Sequence, residues 1–176
     1  MLFRSGRTVV HSILADGAGA ERRVEQILAR AEGNPFFLEE LAWAVAGQPT
    51  GGEPAAVPVT VAAALAARMD RLAPEPRRVL ETAAVLGREA PLPLLEAVTG
   101  TRGNALAASL RQLVAGEFLY EQPGPTFVFK HALTQDVAYG RVPDEDRRRV
   151  HLATGRAFEA LYAARPDEVI DRLAHH

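Results

Sequence analysis

The stretch EFLYEQPGPTFVFK, residues 117–130, decides how this chain is divided. Its two ends, EFLYE and TFVFK, are short and rich in aromatic and β-branched residues, which is typical of strands. The QPGP between them consists of turn-forming residues. Together they predict a β-hairpin, the only β element that we expect. Helical patterns precede it, and three helices followed by a hairpin is the order of a winged-helix domain.

The helical patterns before the hairpin begin at Thr60, which we expect to be an N-cap. The segment APEP at residues 73–76 should break this first helix and start the next one. A short helix is expected at residues 91–100, ending in glycine, and Asn104 is expected to cap the helix that leads to the hairpin. After the hairpin, HALTQDVAYG at residues 131–140 predicts another helix, with Leu133 and Val137 facing inward. A longer helix should follow from about Pro143 to Tyr162, with Ala157 and Leu161 on its inner face.

Further upstream, GNPFFLEEL at residues 33–41 joins two amphipathic helices. Gly33 stands where a left-handed C-terminal cap is wanted. Asn34 is a good N-cap and Pro35 suits the first position of the following helix. We expect Glu39 and Glu40 of that helix to face water.

These patterns divide the chain into five parts. The predicted parts are a disordered leader or fragment edge at residues 1–20, a helical pair at 21–46, a Gly- and Pro-rich linker at 47–58, a winged-helix domain at 59–142, and helices at 143–176 that stop within their own pattern. The predicted fold class is therefore mostly α, with the hairpin as the β element.

The composition limits the function. The chain has 176 residues, a hydrophobic fraction of 48% and a net charge of −2, so it has no overall attraction to nucleic acid or to an anionic membrane surface. It has no cysteine, which excludes disulfides, thiolate metal sites and cysteine nucleophiles and fits a cytoplasmic protein. No apolar run reaches the roughly 18 residues that span a bilayer.

The sequence also lacks complete catalytic motifs. Its single lysine, Lys130, follows Phe129, so there is no Gly-Lys-Ser/Thr phosphate loop. No hydrophobic strand ends in paired acids that could hold magnesium, and no serine lies in a Gly-x-Ser-x-Gly elbow. The histidines have no metal-binding spacing, and we interpret the pair His175 and His176 as a helix end. We expect no catalysis from this chain alone, and no metal or cofactor bound to it alone.

Three segments in this order resemble a known family. ILARAEGNPFFLEEL, VPVTVAAALAARMDRLAPEPRRVLETAAVLGRE and FVFKHALTQDVAYG are similar to the region that follows the ATPase core in bacterial signal-transduction ATPases with numerous domains. These AAA-like regulators are often joined to adenylate/guanylate cyclase or LuxR-type modules. The resemblance covers roughly residues 21–176. It implies a helical lid, a winged helix and the start of tetratricopeptide-like repeats, with an ATPase core upstream in the same protein and further helical repeats downstream.

The resemblance also implies nucleotide-binding residues for ATP or ADP in the intact protein. The family's Gly-x-Pro, which touches bound nucleotide with its proline against the adenine, falls on Gly33, Asn34 and Pro35. The family's histidine after the winged-helix hairpin, which contacts the ADP β-phosphate, falls on His131. The aspartate that usually follows this histidine is replaced by Ala132, which weakens the expected ADP lock. Taken alone, Gly-Asn-Pro is equally well explained as a turn, and His131 as a histidine at a helix start.

Two other functions stay open from the sequence. One is a DNA-binding winged helix, but the predicted recognition helix at residues 104–115 carries only Arg111 as a basic residue, and QPGP carries none. DEDRRRVH at residues 144–151 is interpreted as a solvated helix start, with a nucleic-acid contact through Arg147, Arg148 and Arg149 as its alternative. The other function is an adaptor whose C-terminal helices bind protein. We expect neither nucleic acid nor membrane as a partner.

Overall fold

The computed structural model describes residues 2–14, 20–31, 33–46, 58 and 60–161. Within these residues the chain forms nine helices and one small three-stranded antiparallel sheet, which confirms the mostly α fold class. It divides into two compact units, Met1–Arg71 and Leu72–His176, called here the N-terminal and the C-terminal unit. The predicted linker, apart from Pro58, and the last fifteen residues of the predicted repeat region, 162–176, lie outside the described residues.

The described part of the N-terminal unit is entirely helical. Its helices are α1 (Leu2–Ile13), α2 (Ala20–Ala31), α3 (Pro35–Ala46) and α4 (Val61–Asp70). They enclose an aliphatic core whose most buried members include Val10, Val24, Ile27, Leu41, Val45 and Ala64. Burial of this apolar surface is the main favourable contribution to the stability of the unit.

Helix α1 differs from the leader predicted for residues 1–20. Val10 and Leu14 are buried in the core of the unit, and Arg7 Nη2 lies 2.6 Å from Glu21 Oε2 on α2. Val10, Ile13 and Leu14 follow the spacing i, i+3 and i+4, which is compatible with a helix but extends over only one turn. The contacts with the other helices decide the conformation here.

Helix α4 belongs to the N-terminal unit, although the division from sequence begins the winged helix at residue 59. Thr60 caps it as predicted, because the Thr60 Oγ1 accepts a hydrogen bond of 3.1 Å from the Ala63 amide. The buried side chains of Leu65 and Met69 lie four positions apart, on one face of the helix. The spacing identified the helix correctly, but a single apolar stripe carries no information about which unit it packs against.

The C-terminal unit has the element order of a winged helix. The elements are α5 (Pro74–Leu86), β1 (Glu89–Pro91), α6 (Leu92–Thr99), α7 (Gly103–Ala115), β2 (Leu119–Gln122), β3 (Thr126–Phe129), α8 (Ala132–Gly140) and α9 (Asp144–Leu161). Strands β2 and β3 form the predicted hairpin, with Leu119 opposite Phe129. Phe127 and Phe129 are buried and anchor the hairpin to the helices.

Strand β1 is an addition to the single predicted hairpin. It pairs antiparallel with β3, with Ala90 opposite Phe127, so that the sheet order is β1-β3-β2. The strand has only three residues and ends in Pro91, which cannot donate a ladder hydrogen bond. A three-residue segment is too short to show alternation, so the sequence pattern could not identify it.

Three details of the helices differ from the sequence prediction. The N-cap of α7 is Arg102 instead of Asn104, and the helix begins at Gly103, whose φ is +62°. On α8 the buried residues are Thr134 and Ala138, one position beyond the predicted pair. On α9 Ala157 is buried as predicted, but Leu161, the last residue of the helix, is exposed although it lies on the same face.

Candidate functional site

The turn between α2 and α3 consists of Gly33, Asn34 and Pro35. Gly33 has φ +81°, a left-handed conformation that L side chains rarely adopt, as the sequence predicted. A Cβ added there would meet no atom within 4 Å, so backbone conformation and not space requires glycine. Substitution by a β-branched residue would therefore strain the backbone of this turn.

Asn34 caps α3. Its Oδ1 accepts hydrogen bonds from the amides of Phe36, at 3.0 Å, and Phe37, at 3.4 Å. Pro35 occupies the first helical position, where its missing amide hydrogen has no intrahelical acceptor to lose. Gly33, Asn34 and Pro35 are all exposed. The turn therefore presents a flat apolar ring beside the positive end of a helix dipole.

One turn further along α3, Glu40 forms a buried ion pair with Arg68 of α4. The side chains are only 3% and 5% exposed, respectively. The Cζ of Arg68 also lies 5.9 Å from the ring centroid of Trp43. The prediction that Glu40 faces water is wrong, because its carboxylate is enclosed between two helices that meet only in the folded unit.

His131 lies between β3 and α8, as the resemblance implied. It is the N-cap residue of α8, and its carbonyl oxygen accepts a hydrogen bond of 3.1 Å from the Thr134 amide. The residue as a whole is half-buried and its Nε2 atom is buried. The predicted nucleotide site has residues in both units. The Gly-Asn-Pro turn lies in the N-terminal unit and His131 lies in the C-terminal unit, and each is described within its own unit.

The exposed face of α7 carries little positive charge. Arg111 is its one basic residue, and Ala107, Ala108 and Ala115 are exposed beside it. The hairpin turn at residues 123–125 contains no charged side chain. A duplex placed against this surface would therefore find few partners for its phosphates.

Two of the three arginines at the start of α9 form ion pairs with neighbouring acids. Arg149 Nη2 lies 2.7 Å from Asp146 Oδ1, and Arg147 pairs with Asp144. The Cζ of Arg147 also stacks 4.9 Å from the ring centroid of Tyr139. This arrangement supports the interpretation of the segment as a solvated helix start, since acidic side chains in the first turn interact favourably with the helix dipole.

A groove in the C-terminal unit was not predicted. It has a volume of about 570 Å³, runs along α7, and has α6 and the hairpin as its other walls. Most of its lining is aliphatic or aromatic, with charged side chains from Glu96, Arg111 and Glu121. The sequence contained no signal for it, because the three walls come from segments that are brought together only by the fold.

Other site types are not found in the part of the chain that the structure describes. There, no group of three or more histidine, cysteine or acidic residues could hold a metal ion. None of the described helices is both long and apolar enough to cross a bilayer.

Comparisons with known proteins give no assignment: no protein-family profile matches the chain, and no characterised protein matches it significantly.

Proposed function

We propose that this chain is the non-catalytic lid and winged-helix segment of an ATP/ADP-switched regulatory ATPase. In this proposal the N-terminal unit contributes the lid and the C-terminal unit the winged helix. The catalytic phosphate loop and the magnesium-binding acid belong to an ATPase core in the same intact protein. The segment transmits the nucleotide state of that core to an output domain.

The exposed Gly-Asn-Pro turn carries the proposal. Gly33 adopts the left-handed conformation, Asn34 caps α3, and Pro35 remains exposed at the first helical position. All three residues are exposed, so a bound nucleotide can reach them without any rearrangement of the unit. An adenine ring can stack on the proline, and the adjacent helix end favours nearby negative charge.

His131 supplies the second part of the proposal. Imidazole donates a hydrogen bond to a phosphate oxygen, and more strongly when protonated. Because its Nε2 is buried in the C-terminal unit, contact with a phosphate requires the other ring nitrogen or a change of rotamer. Exchange of ADP for ATP would then move the lid and winged helix relative to the ATPase core, a rigid-body switch.

The test uses a chimera in which the full chain is joined to the phosphate-loop domain of a regulatory ATPase that retains ADP. We expect Pro35→Ala to accelerate ADP release severalfold and to lower the melting temperature only modestly, because the ring contributes to stacking more than to the fold. The matched control is Pro74→Ala. Pro74 is also exposed and occupies the first position of a helix, α5. If both variants release ADP at the same rate, Gly-Asn-Pro serves only as a turn and does not contact the nucleotide.

The same chimera tests His131. A charge-assisted hydrogen bond contributes about 1.5–3 kcal/mol, so His131→Ala should accelerate ADP release about tenfold to a hundredfold. With alanine at position 132 we expect the lower end of this range. His11→Ala, at an exposed histidine of α1, is the control. A large fall in melting temperature with unchanged ADP release would make His131 a structural residue only.

A further inference from the structure

The groove beside α7 follows the whole helix. Its lining residues on α7 are Gly103, Leu106, Ala107, Leu110, Arg111, Val114 and Ala115. Their spacing of three and four positions places them on one helical face. Since each residue advances the helix by about 1.5 Å, the lined face is about 18 Å long, or a little over three turns. The cavity is therefore an elongated channel.

The floor and the walls of the groove differ in chemistry. Leu106, Leu110 and Phe127 form a buried apolar floor, and Leu92 adds a half-buried aliphatic side chain from α6. At the edge of α7 the lining residue Ala107 is exposed and small. Without bulky side chains at that edge, a second helix could approach at the close end of the usual interaxial range of 8–10 Å.

The charges around the groove are mainly negative. Glu96 stands on the α6 side, Glu121 on the β2 side and Arg111 on α7. Within the described residues, no ion pair or hydrogen bond involves these three side chains. The two carboxylates flank an apolar channel and are available to a basic partner, whereas they would repel nucleic acid.

We infer that this groove binds an amphipathic helix of a partner protein, about three turns long and bordered by basic residues. Aliphatic side chains at positions i, i+3 or i+4, and i+7 of that helix would enter the channel, as in other helix-in-groove complexes. Lysine or arginine beside this stripe would meet Glu96 and Glu121. The inference concerns the C-terminal unit alone and goes beyond the proposed nucleotide switch.

The experiment selects ligands for the full chain from a displayed library of helical peptides of about fourteen residues. Aliphatic residues are fixed at the helical spacing, and the flanking positions vary between lysine and glutamate. We expect enriched peptides to carry lysine on both sides of the stripe. Fluorescence anisotropy then measures the affinity of one enriched peptide and of its counterpart with every lysine replaced by glutamate.

Two adjacent alanines provide a matched pair of variants. Ala107→Gln places a longer neutral side chain in the groove, and Ala108→Gln makes the same change at an exposed position that does not line it. We expect Ala107→Gln to weaken peptide binding at least tenfold and Ala108→Gln to change it less than twofold. Replacing both Glu96 and Glu121 by glutamine should reduce the preference for the lysine peptide severalfold.

Four outcomes would overturn the inference. They are no enrichment above chain-free beads, enrichment of glutamate-flanked peptides, equal binding by the Ala107 and Ala108 variants, and occupation of the groove by something else. The last is tested with the apolar dye 1-anilinonaphthalene-8-sulfonate and by sedimentation of the chain alone. Dye binding or self-association that Ala107→Gln abolishes, in the absence of any peptide binding, would assign the groove to a small ligand or to a second copy.

Discussion

At the scale of single residues, Glu40 and Arg68 form a buried ion pair in the N-terminal unit, and the stability of the unit depends on this pairing. Removing two charges from water costs several kcal/mol per ion, and only good mutual geometry offsets that cost. The two side chains lie in the interior, and the guanidinium also contacts Trp43. The pair therefore joins α3 to α4, and each charge compensates the other in the interior.

We expect Glu40→Leu to destabilise the N-terminal unit by about 3–5 kcal/mol, because the buried Arg68 cation would lose its carboxylate partner. The double variant Glu40→Leu/Arg68→Leu should recover most of that loss. Trp43 is the single tryptophan of the chain and lies on α3, so its fluorescence during denaturation reports on this unit.

Glu21→Gln is the control for this experiment, because it removes one partner from the exposed pair with Arg7. It should lower the stability far less than Glu40→Leu does, because exposed ion pairs contribute little to the free energy of unfolding. If Glu40→Leu is as mild as Glu21→Gln, or if the double variant is no more stable than the single one, then Glu40 and Arg68 do not depend on each other.

At the scale of elements, the sequence predicted correctly those features that depend only on residues close together in the chain. The left-handed Gly33, the caps at Asn34 and Thr60 and the hairpin all depend on residues within a few positions of one another, and the structure contains them. Glu40 depends on a partner 28 positions away, beyond the Gly- and Pro-rich segment. No spacing rule on α3 could have indicated that its carboxylate is buried.

The candidate site divides in the same way. The conformation of the turn at Gly33 could be predicted from its own three residues. The position of His131 could be predicted from the hairpin pattern that precedes it. The groove beside α7 could not, because Leu92, Val114 and Phe127 become neighbours only through the packing of α6, α7 and the sheet. The orientation of the His131 ring likewise depends on packing that the sequence does not encode locally.

A second cavity of the C-terminal unit, about 500 Å³, lies between α5 and α9 and includes Glu81 and Asp146. Burial is the main cause that raises the pKa of Glu81; Arg77 and Arg141 act in the opposite direction, and Asp146 raises it further. Because its pKa is higher in the folded state than in the unfolded state, Glu81 favours folding most at low pH. That contribution is lost as the pH rises through the folded-state pKa.

We therefore expect the stability of the Glu81→Gln variant, measured against that of the original chain at the same pH, to be more favourable at pH 7 than at pH 4. The difference should grow as the pH rises above about 4.5, where the original glutamate becomes ionised in the unfolded chain. Thermal unfolding followed by circular dichroism across this range measures it. Glu159→Gln, which makes the same charge change at an exposed position of α9, is the control. A Glu81→Gln profile parallel to that control would contradict the prediction.

At the scale of the whole molecule, the distribution of charge distinguishes the proposed role from that of a DNA-binding winged helix. Sequence-specific winged helices need several cations to neutralise phosphates, and this contribution supplies most non-specific affinity. Here the net charge of the chain is −2. The helix at the recognition position, α7, has Arg111 as its one basic residue, and Glu96 and Glu121 border the groove beside it. Arg147 and Arg149 at the start of α9 are paired with acids of their own helix.

We accordingly expect no sequence-specific DNA binding by this chain. Selection from a random duplex library at moderate salt should enrich no motif, and residual binding should be no tighter than the non-specific range of roughly 10⁻⁴–10⁻⁶ M. Arg111→Ala and Arg148→Ala remove one exposed arginine each, the first from α7 and the second from α9. If both variants weaken residual binding equally, the attraction is one of charge alone. An enriched motif that Arg111→Ala abolishes and Arg148→Ala leaves intact would show that α7 reads bases, and the DNA-binding function would then replace the one proposed here.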